Sequence, residues 1–97
     1  MLTEGIAFPH AIGEGIPTTL VGVARLDPPL PYDDRHQPIT LCFALFGDSA
    51  TPSVHVRTMA RLARIVSDPA ARSRLEAAAS PRDLLETLRQ QDSAHSM

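Results

Sequence analysis

The sequence predicts an α/β domain in which a small mixed sheet packs with C-terminal helices. Short apolar and β-branched runs fill the first half of the chain, whereas apolar residues recur at helical spacing in the second half. The run from Ile39 to Phe46 is almost continuously apolar, which is typical of a strand covered on both faces. Strands followed by helices, with one such buried strand among them, favour a layered α/β architecture.

The first half is expected to hold three strands. Ile6 to Phe8 is a short apolar run that ends at Pro9, and proline has no N–H with which to continue a sheet ladder. Residues 10–17 contain two glycines and one proline, which predicts a loop. Thr18 to Leu26 is rich in β-branched residues and predicts the second strand. Asp27 to Pro38 contains four prolines and predicts a surface loop before the third, continuously apolar strand.

Three helices are expected after a turn over residues 47–52. The first carries apolar residues at helical spacing from Val56 to Val66, with arginines on its other side. Asp68-Pro69 places an N-cap acceptor before a proline at the first helical position, which predicts a second helix to about Ala78.

The third helix is predicted to begin at Ser80-Pro81, with Asp83 as the acid of a capping box. Its apolar stripe consists of leucines, and the sequence becomes polar from Gln91. We therefore expect a single domain over residues 1–91 and a flexible tail over residues 92–97.

The two-sided apolarity of the third strand predicts helices above and below the sheet. Three C-terminal helices, however, suffice to cover one face of so small a sheet. Apolar surface left without a covering layer is typical of an interface, so we expect a homo-oligomer.

Composition excludes several classes of protein. The chain has 97 residues, enough for one domain, and its net charge of −2 gives no argument for nucleic acid as a partner. The single cysteine, Cys42, excludes an internal disulfide and fits a reducing compartment. No apolar run is long enough for membrane insertion, and the first residues lack the pattern of a signal peptide. These features predict a cytoplasmic protein.

Two histidines are the candidates for chemistry. His10 follows the predicted strand end at Pro9, where solvent and partners can reach it, and imidazole exchanges protons or phosphoryl groups near neutral pH. His55 lies near the start of the first predicted helix, where free N–H groups and the helix dipole favour a phosphate. Taken singly, each also fits an ordinary structural histidine.

The other candidates have structural explanations. His36 lies in a charged turn and His95 in the polar tail, so both are expected to be solvated surface residues. Cys42 lies inside a predicted strand and is expected to be a small core residue. His10, His55 and Cys42 lack the spacing of metal ligands, so no metal and no cofactor is predicted.

The segment Gly5-Ile6-Ala7-Phe8-Pro9-His10 resembles the GIAxPH motif of the fructose/mannitol-type IIA domain of the bacterial phosphoenolpyruvate-dependent sugar phosphotransferase system. The nitrogen-regulatory IIA protein belongs to the same family. Residues 39–46 are similar to its central strand, residues 53–63 to its HLxxLAxLA helix, and the Asp68-Pro69 and Ser80-Pro81 starts to its last two helices.

The resemblance implies a mannitol-type IIA fold that lacks the usual N-terminal helices. It also implies a phosphocarrier in which His10 accepts a phosphoryl group from the carrier protein HPr, supported by His55. The group then passes to a IIB domain or acts as a regulatory signal on a target protein. The family's active-site arginine comes from its N-terminal part, and here Ala11 and Ile12 follow the motif instead of a basic residue. A non-catalytic regulatory or protein-binding module on the same scaffold therefore stands as the alternative.

Overall fold

The structure, a computed structural model, describes residues 2–3 and 5–95. The strands come first along the chain and the helices last, as the sequence predicts. The elements are β1 Leu2–Thr3, β2 Ile6–Ala7, β3 His10–Gly13, β4 Leu20–Leu30, β5 Ile39–Asp48, α1 Pro52–Val66, α2 Pro69–Glu76 and α3 Pro81–His95.

The mixed sheet is built around β5. The strands β2 and β3 pair parallel with β5, β4 pairs antiparallel with it, and β1 pairs antiparallel with β2. Ile6 lies opposite Leu41 and His10 opposite Leu45, so β2 and β3 keep one register along the same edge of β5. The other edge of β5 is occupied by β4. The two short strands are therefore halves of one strand.

The loop expected over residues 10–17 begins later than predicted, because the chain resumes as β3 at His10. Pro9 removes one donor from the ladder, but its carbonyl oxygen still accepts the N–H of Leu45 at 2.9 Å. Proline thus interrupts the strand without ending it. His10 consequently stands on a strand rather than in a loop.

The strands after the loop extend beyond the predicted ends. β4 reaches Leu30 rather than Leu26, with a register shift between Arg25 and Leu30, and β5 continues through Asp48. The irregular pairing lets the prolines of residues 28–29 lie in a strand that follows the edge of the sheet.

The helix starts agree with the sequence. The Asp68 carboxylate accepts the N–H of Ala70 at 3.0 Å and caps α2. Before α3, Asp83 accepts the N–H of Ala79 at 2.9 Å, while the N–H of Asp83 donates to the Ser80 hydroxyl at 3.1 Å. The bonds from the N–H groups of Ala70 and Asp83 satisfy donors that the first turn of a helix leaves free, and the bond from Ala79 adds a contact just before α3.

The helix α3 continues through His95, where the sequence predicted a flexible tail over residues 92–97. Gln91 is buried, and the His95 ring lies 2.8 Å from the Gln91 carbonyl and 3.0 Å from the Asp68 carboxylate. Contacts with distant parts of the chain therefore extend the helix over residues 92–95. Residues 96 and 97 lie outside the described residues.

The core lies between one face of the sheet and the helices. The rings of Phe8 and Phe43 stack with centroids 5.5 Å apart, and both side chains are fully buried. Alternate residues of β5 supply this face because successive side chains of a strand point to opposite sides. The other members of the core are Ile6, Leu41, Leu45, Leu62, Ile65, Val66, Ala71, Leu75, Ala78, Leu84 and Leu88.

The opposite face of the sheet is uncovered in the described part of the chain. Its largest residues, Phe46 and Leu20, are register partners with 45% and 55% of their surface exposed. The expectation of helices above and below the sheet is therefore wrong for these residues, because all three helices contribute to the single core on the other side. We call the apolar part of this surface the open sheet face; it comprises Ala7, Ala11, Leu20, Gly22, Ala24, Cys42, Ala44 and Phe46, and Asp48 follows on the same side of β5.

Among the helices of the described residues, none combines the length and apolarity that crossing a bilayer requires.

Candidate functional site

His10 is the first residue of β3 and its side chain is exposed. The ring Nδ1 lies 3.4 Å from the carbonyl oxygen of Phe8, a long contact within the Phe8-Pro9-His10 segment. This contact engages Nδ1 and not Nε2. His10 therefore presents an imidazole from a strand whose register is fixed by β5.

His55 is the fourth residue of α1 and is almost completely buried, with 6% of its surface exposed. Its ring lies beside that of His10, with centroids 5.7 Å apart and planes tilted by 58°. The structure thus brings together the two histidines that the sequence singled out, one exposed and one buried. Their 45-residue separation is bridged because β3 and the start of α1 both lie at the carboxyl end of β5.

The two ring nitrogens of His55 are buried and have no hydrogen-bond partner among the described residues. A buried polar atom without a partner costs about 1–3 kcal/mol, and such atoms are rare in folded proteins. A ring that lies beside the exposed His10 imidazole and keeps its hydrogen-bonding capacity is well suited to a ligand with acceptor or donor oxygens. A phosphate group is such a ligand.

The start of α1 offers fewer free donors than the first turn of an ideal helix. Pro52, at its first position, has no N–H, and the N–H of Val54 already donates to the Thr51 carbonyl at 3.1 Å. The Thr51 side chain makes no capping hydrogen bond. The helix dipole still favours an anion here. The two imidazole rings, however, offer more hydrogen-bonding atoms for such an anion than the backbone does.

The remaining candidates lie elsewhere. His36 is exposed and its ring lies 2.7 Å from Asp33 in the loop before β5. His95 was expected at the surface, but it is partly buried against Asp68. Cys42 is half-buried on the open sheet face rather than in the core, and burial raises the pKa of its thiol.

No group of three or more potential metal-binding side chains comes together within the described residues. Gly47 is the residue at this site that sequence reasoning missed. It was assigned to a turn but lies buried in β5 against His55. A glycine directly after a continuously apolar strand was the available signal, since it marks a close approach to the backbone.

Comparison with known proteins identifies the family. Residues 1–91 match the family described as "Phosphoenolpyruvate-dependent sugar phosphotransferase system, EIIA 2". The chain belongs to this family. The resemblance seen in the sequence motifs is thereby confirmed.

Nitrogen regulatory proteins are among the relatives in this EIIA 2 family. Those of Klebsiella oxytoca and Escherichia coli K12 are each 33% identical over 87 residues, which cover 88% of this chain and 54% and 53% of the relatives. The chain thus spans about half the length of these curated relatives. The crystal structure of the nitrogen regulatory protein IIA-Ntr from Neisseria meningitidis superimposes with a TM-score of 0.77 at 22% identity. The match covers 89% of this chain and 60% of that one, and it confirms the α/β fold.

Proposed function

We propose that this EIIA 2 family member is a phosphocarrier of the phosphoenolpyruvate-dependent phosphotransferase system, with His10 as the phosphoryl acceptor. The donor is an HPr-like phosphocarrier, and the recipient is a IIB domain or a regulatory target protein. The observation that carries the proposal is the pairing of an exposed imidazole, His10, with a buried and unpartnered one, His55, at a ring separation of 5.7 Å.

The orientation of His10 suits it to nucleophilic attack. An Nδ1–H that donates to the Phe8 carbonyl fixes the tautomer in which Nε2 carries the lone pair. In the transfer, that lone pair forms a bond to phosphorus while the phosphorus–nitrogen bond of the donor phosphohistidine breaks. The bonding electrons leave with the donor imidazole, which then takes up a proton. The reverse sequence on His10 passes the group to the recipient.

His55 supports the phosphoryl group. Its ring is already buried in the free protein, so a nitrogen of His55 can donate a hydrogen bond to a phosphate oxygen with little further loss of side-chain freedom. Fixed donors of this kind stabilise charge that develops during transfer. The cost of burying His55 without a protein partner is explained if the phosphoryl group is that partner.

The test is phosphorylation by the general phosphotransferase proteins and labelled phosphoenolpyruvate. We expect acid-labile label on the wild-type chain, none on His10→Ala, and full labelling of the control His36→Ala, whose ring lies in an exposed loop. His55→Ala is expected to label about 10- to 1000-fold more slowly, the range for loss of one stabilising donor. Equal label on His10→Ala, or no label on the wild type, contradicts the proposal.

The alternative function is a non-catalytic regulatory or protein-binding module on the same scaffold. It is favoured by the apolar surface that the described residues leave uncovered. Two results would establish it: the wild-type chain takes no label from phosphoenolpyruvate, and the wild type and His10→Ala bind a regulatory target equally well.

Self-association is part of the proposal, and the occupant of the open sheet face is a second copy of the chain. The face is mostly apolar: glycine and alanine surround the pair Phe46 and Leu20, and Asp48 lies at its end. A second copy presents the same apolar surface, and two such sheets pack about 10 Å apart in a twofold arrangement. A strongly charged partner surface would lose its hydration over this apolar area with at most one counter-charge to gain.

Light scattering at tens of micromolar, a rough working range for weak dimers, tests this association. Phe46→Asp is expected to give a monomer, while the control Leu85→Asp, which changes a similarly exposed side chain on α3, leaves the dimer intact. A wild-type chain that remains a monomer at that concentration contradicts the assignment.

A further inference from the structure

Gly47 lies directly against the His55 ring. A Cβ atom built on Gly47 would stand 2.7 Å from His55 Nδ1 and 3.3 Å from His55 Cβ and Cγ. Ordinary van der Waals contact begins at 3.4 Å, so any side chain at this position forces a displacement. All three nearest atoms belong to one residue, the buried His55.

Glycine is needed at position 47 because there is no room for a side chain, not because of its backbone angles. Within the described residues, positive φ angles occur at Gly5 and Gly15, and Gly47 instead has strand geometry that other residues adopt freely. Glycine in the middle of a strand is destabilising by about 0.5–1 kcal/mol relative to alanine. A glycine at a buried strand position therefore indicates that a neighbouring group requires the space.

We propose that Gly47 is a positioning residue for the histidine pair. By lacking a side chain, it lets the His55 imidazole lie against β5, within ring contact of His10. The position of the His55 ring does not depend on the proposed function, whereas the effect of Gly47 on phosphoryl transfer rests on it. Gly47 acts through His55 and does not contact the phosphoryl group.

The size of the effect follows from the distances. Relief of the 2.7 Å approach to ordinary contact at 3.4 Å requires a shift of about 0.7 Å, the difference of the two values. The His55 ring must rotate, or the start of α1 must move away from β5. Since a misplacement of about 1 Å can lower a rate about 100-fold, Gly47→Ala is expected to slow labelling of His10 by about 10- to 100-fold.

The first experiment is independent of phosphoryl transfer. Imidazole NMR signals of His10 and His55 are recorded for wild type, Gly47→Ala and the control Gly22→Ala, below the concentration of the proposed self-association because Gly22 lies on the open sheet face. Gly22 is also a strand glycine, but a Cβ there meets only the Ala44 side chain at 4.0 Å. Gly47→Ala is expected to shift the signals of both rings, whereas Gly22→Ala leaves them unchanged. Unchanged His55 signals in a folded Gly47→Ala variant overturn the proposal.

The second experiment is a double-mutant cycle with His55→Ala, which makes room for the new methyl group. If Gly47 acts only through His55, Gly47→Ala lowers the urea midpoint and the labelling rate of the wild type but changes neither in the His55→Ala background. The proposal is overturned if Gly47→Ala still lowers the urea midpoint or the labelling rate in the His55→Ala background. The double variant decides in the same way if the Gly47→Ala single variant fails to fold. If no variant takes label, the proposed function fails, and the NMR and urea results still decide the role of Gly47.

Discussion

The His95 imidazole and the Asp68 carboxylate, 27 positions apart, lie 3.0 Å from each other and join the end of α3 to the start of α2. The same carboxyl group caps α2 through the N–H of Ala70. One side chain thus serves a helix start and a contact between helices. The hydrogen bond from His95 is the main reason that the pKa of Asp68 lies below its usual value, with the Ala70 N–H as the next contribution.

This arrangement predicts a dependence of stability on acid pH. A carboxyl group with a lowered pKa in the folded state binds protons less readily there than in the unfolded chain. Its stabilising contribution is therefore present above the usual Asp pKa of about 3.9 and is lost as the pH falls through the lower folded-state value. Asp33, whose pKa is lowered mainly by His36, contributes with the same sign.

NMR titration of the carboxyl groups checks the cause. In His95→Ala the pKa of Asp68 is expected to rise toward its usual value, while that of Asp33 stays lowered because its partner, His36, is unchanged. Asp68→Asn is expected to flatten the loss of stability in acid. An Asp68 pKa that is the same in wild type and His95→Ala contradicts this explanation.

Removal of residues 92–97 is predicted to lower stability, in contrast to the removal of a flexible tail. The deletion breaks the contact between His95 and Asp68 and the two hydrogen bonds between Arg61 and Asp92, at 3.1 and 2.7 Å. The exposed Arg61–Asp92 pair alone contributes about 0.2–1 kcal/mol. The measurement is the urea midpoint, with deletion of residues 96–97 as the control. Equal midpoints for both deletions would show that residues 92–95 add nothing.

Phe43 and Phe46 lie on the same strand and face opposite sides of the sheet, so their replacement is predicted to differ sharply. Phe43→Ala removes a fully buried ring that stacks on Phe8 and should cost about 3–5 kcal/mol of unfolding free energy. Phe46→Ala, at 45% exposure, should cost less than about 1 kcal/mol in dilute solution. Urea denaturation in dilute solution measures both, and similar costs would contradict the assignment of the two faces.

His55→Leu is predicted to stabilise the protein while it impairs phosphoryl transfer. The replacement has a similar volume and removes the two buried nitrogens that lack partners in the described structure, which is expected to raise the unfolding free energy by about 1 kcal/mol. His36→Leu, in an exposed loop, serves as the control and should change stability little. A marked loss of stability in His55→Leu would indicate that the ring already has a favourable partner in the free protein.

Local chemistry made much of the fold predictable. Proline after Asp68 and after Ser80 defined the starts of α2 and α3, because a side-chain acceptor followed by a residue without an N–H fits the first turn of a helix. The apolar run from Ile39 defined β5, since eight successive residues with few polar groups have few alternatives to a strand at that length. The resemblance of residues 5–10 to a family motif pointed to His10.

The errors arose where a distant contact overruled a local preference. Pro9 ended the predicted strand, but parallel pairing with β5 carries the chain on through His10. The polar residues after Gln91 predicted an end to the helix, but Asp68 extends it through His95. In both cases the deciding partner lies far away in the sequence, so no local pattern could indicate it.

The order of strands before helices, the helix starts and the two candidate histidines could be predicted from the sequence, because these depend on the chemistry of neighbouring residues. The packing of one face of β5 on the helices, with the other face open, became clear from the fold, since continuous apolarity cannot tell one covered face from two. The tertiary structure also decided the burial of His55 beside His10 and the need for glycine at position 47. Those features are distances between segments, and distances are set by packing.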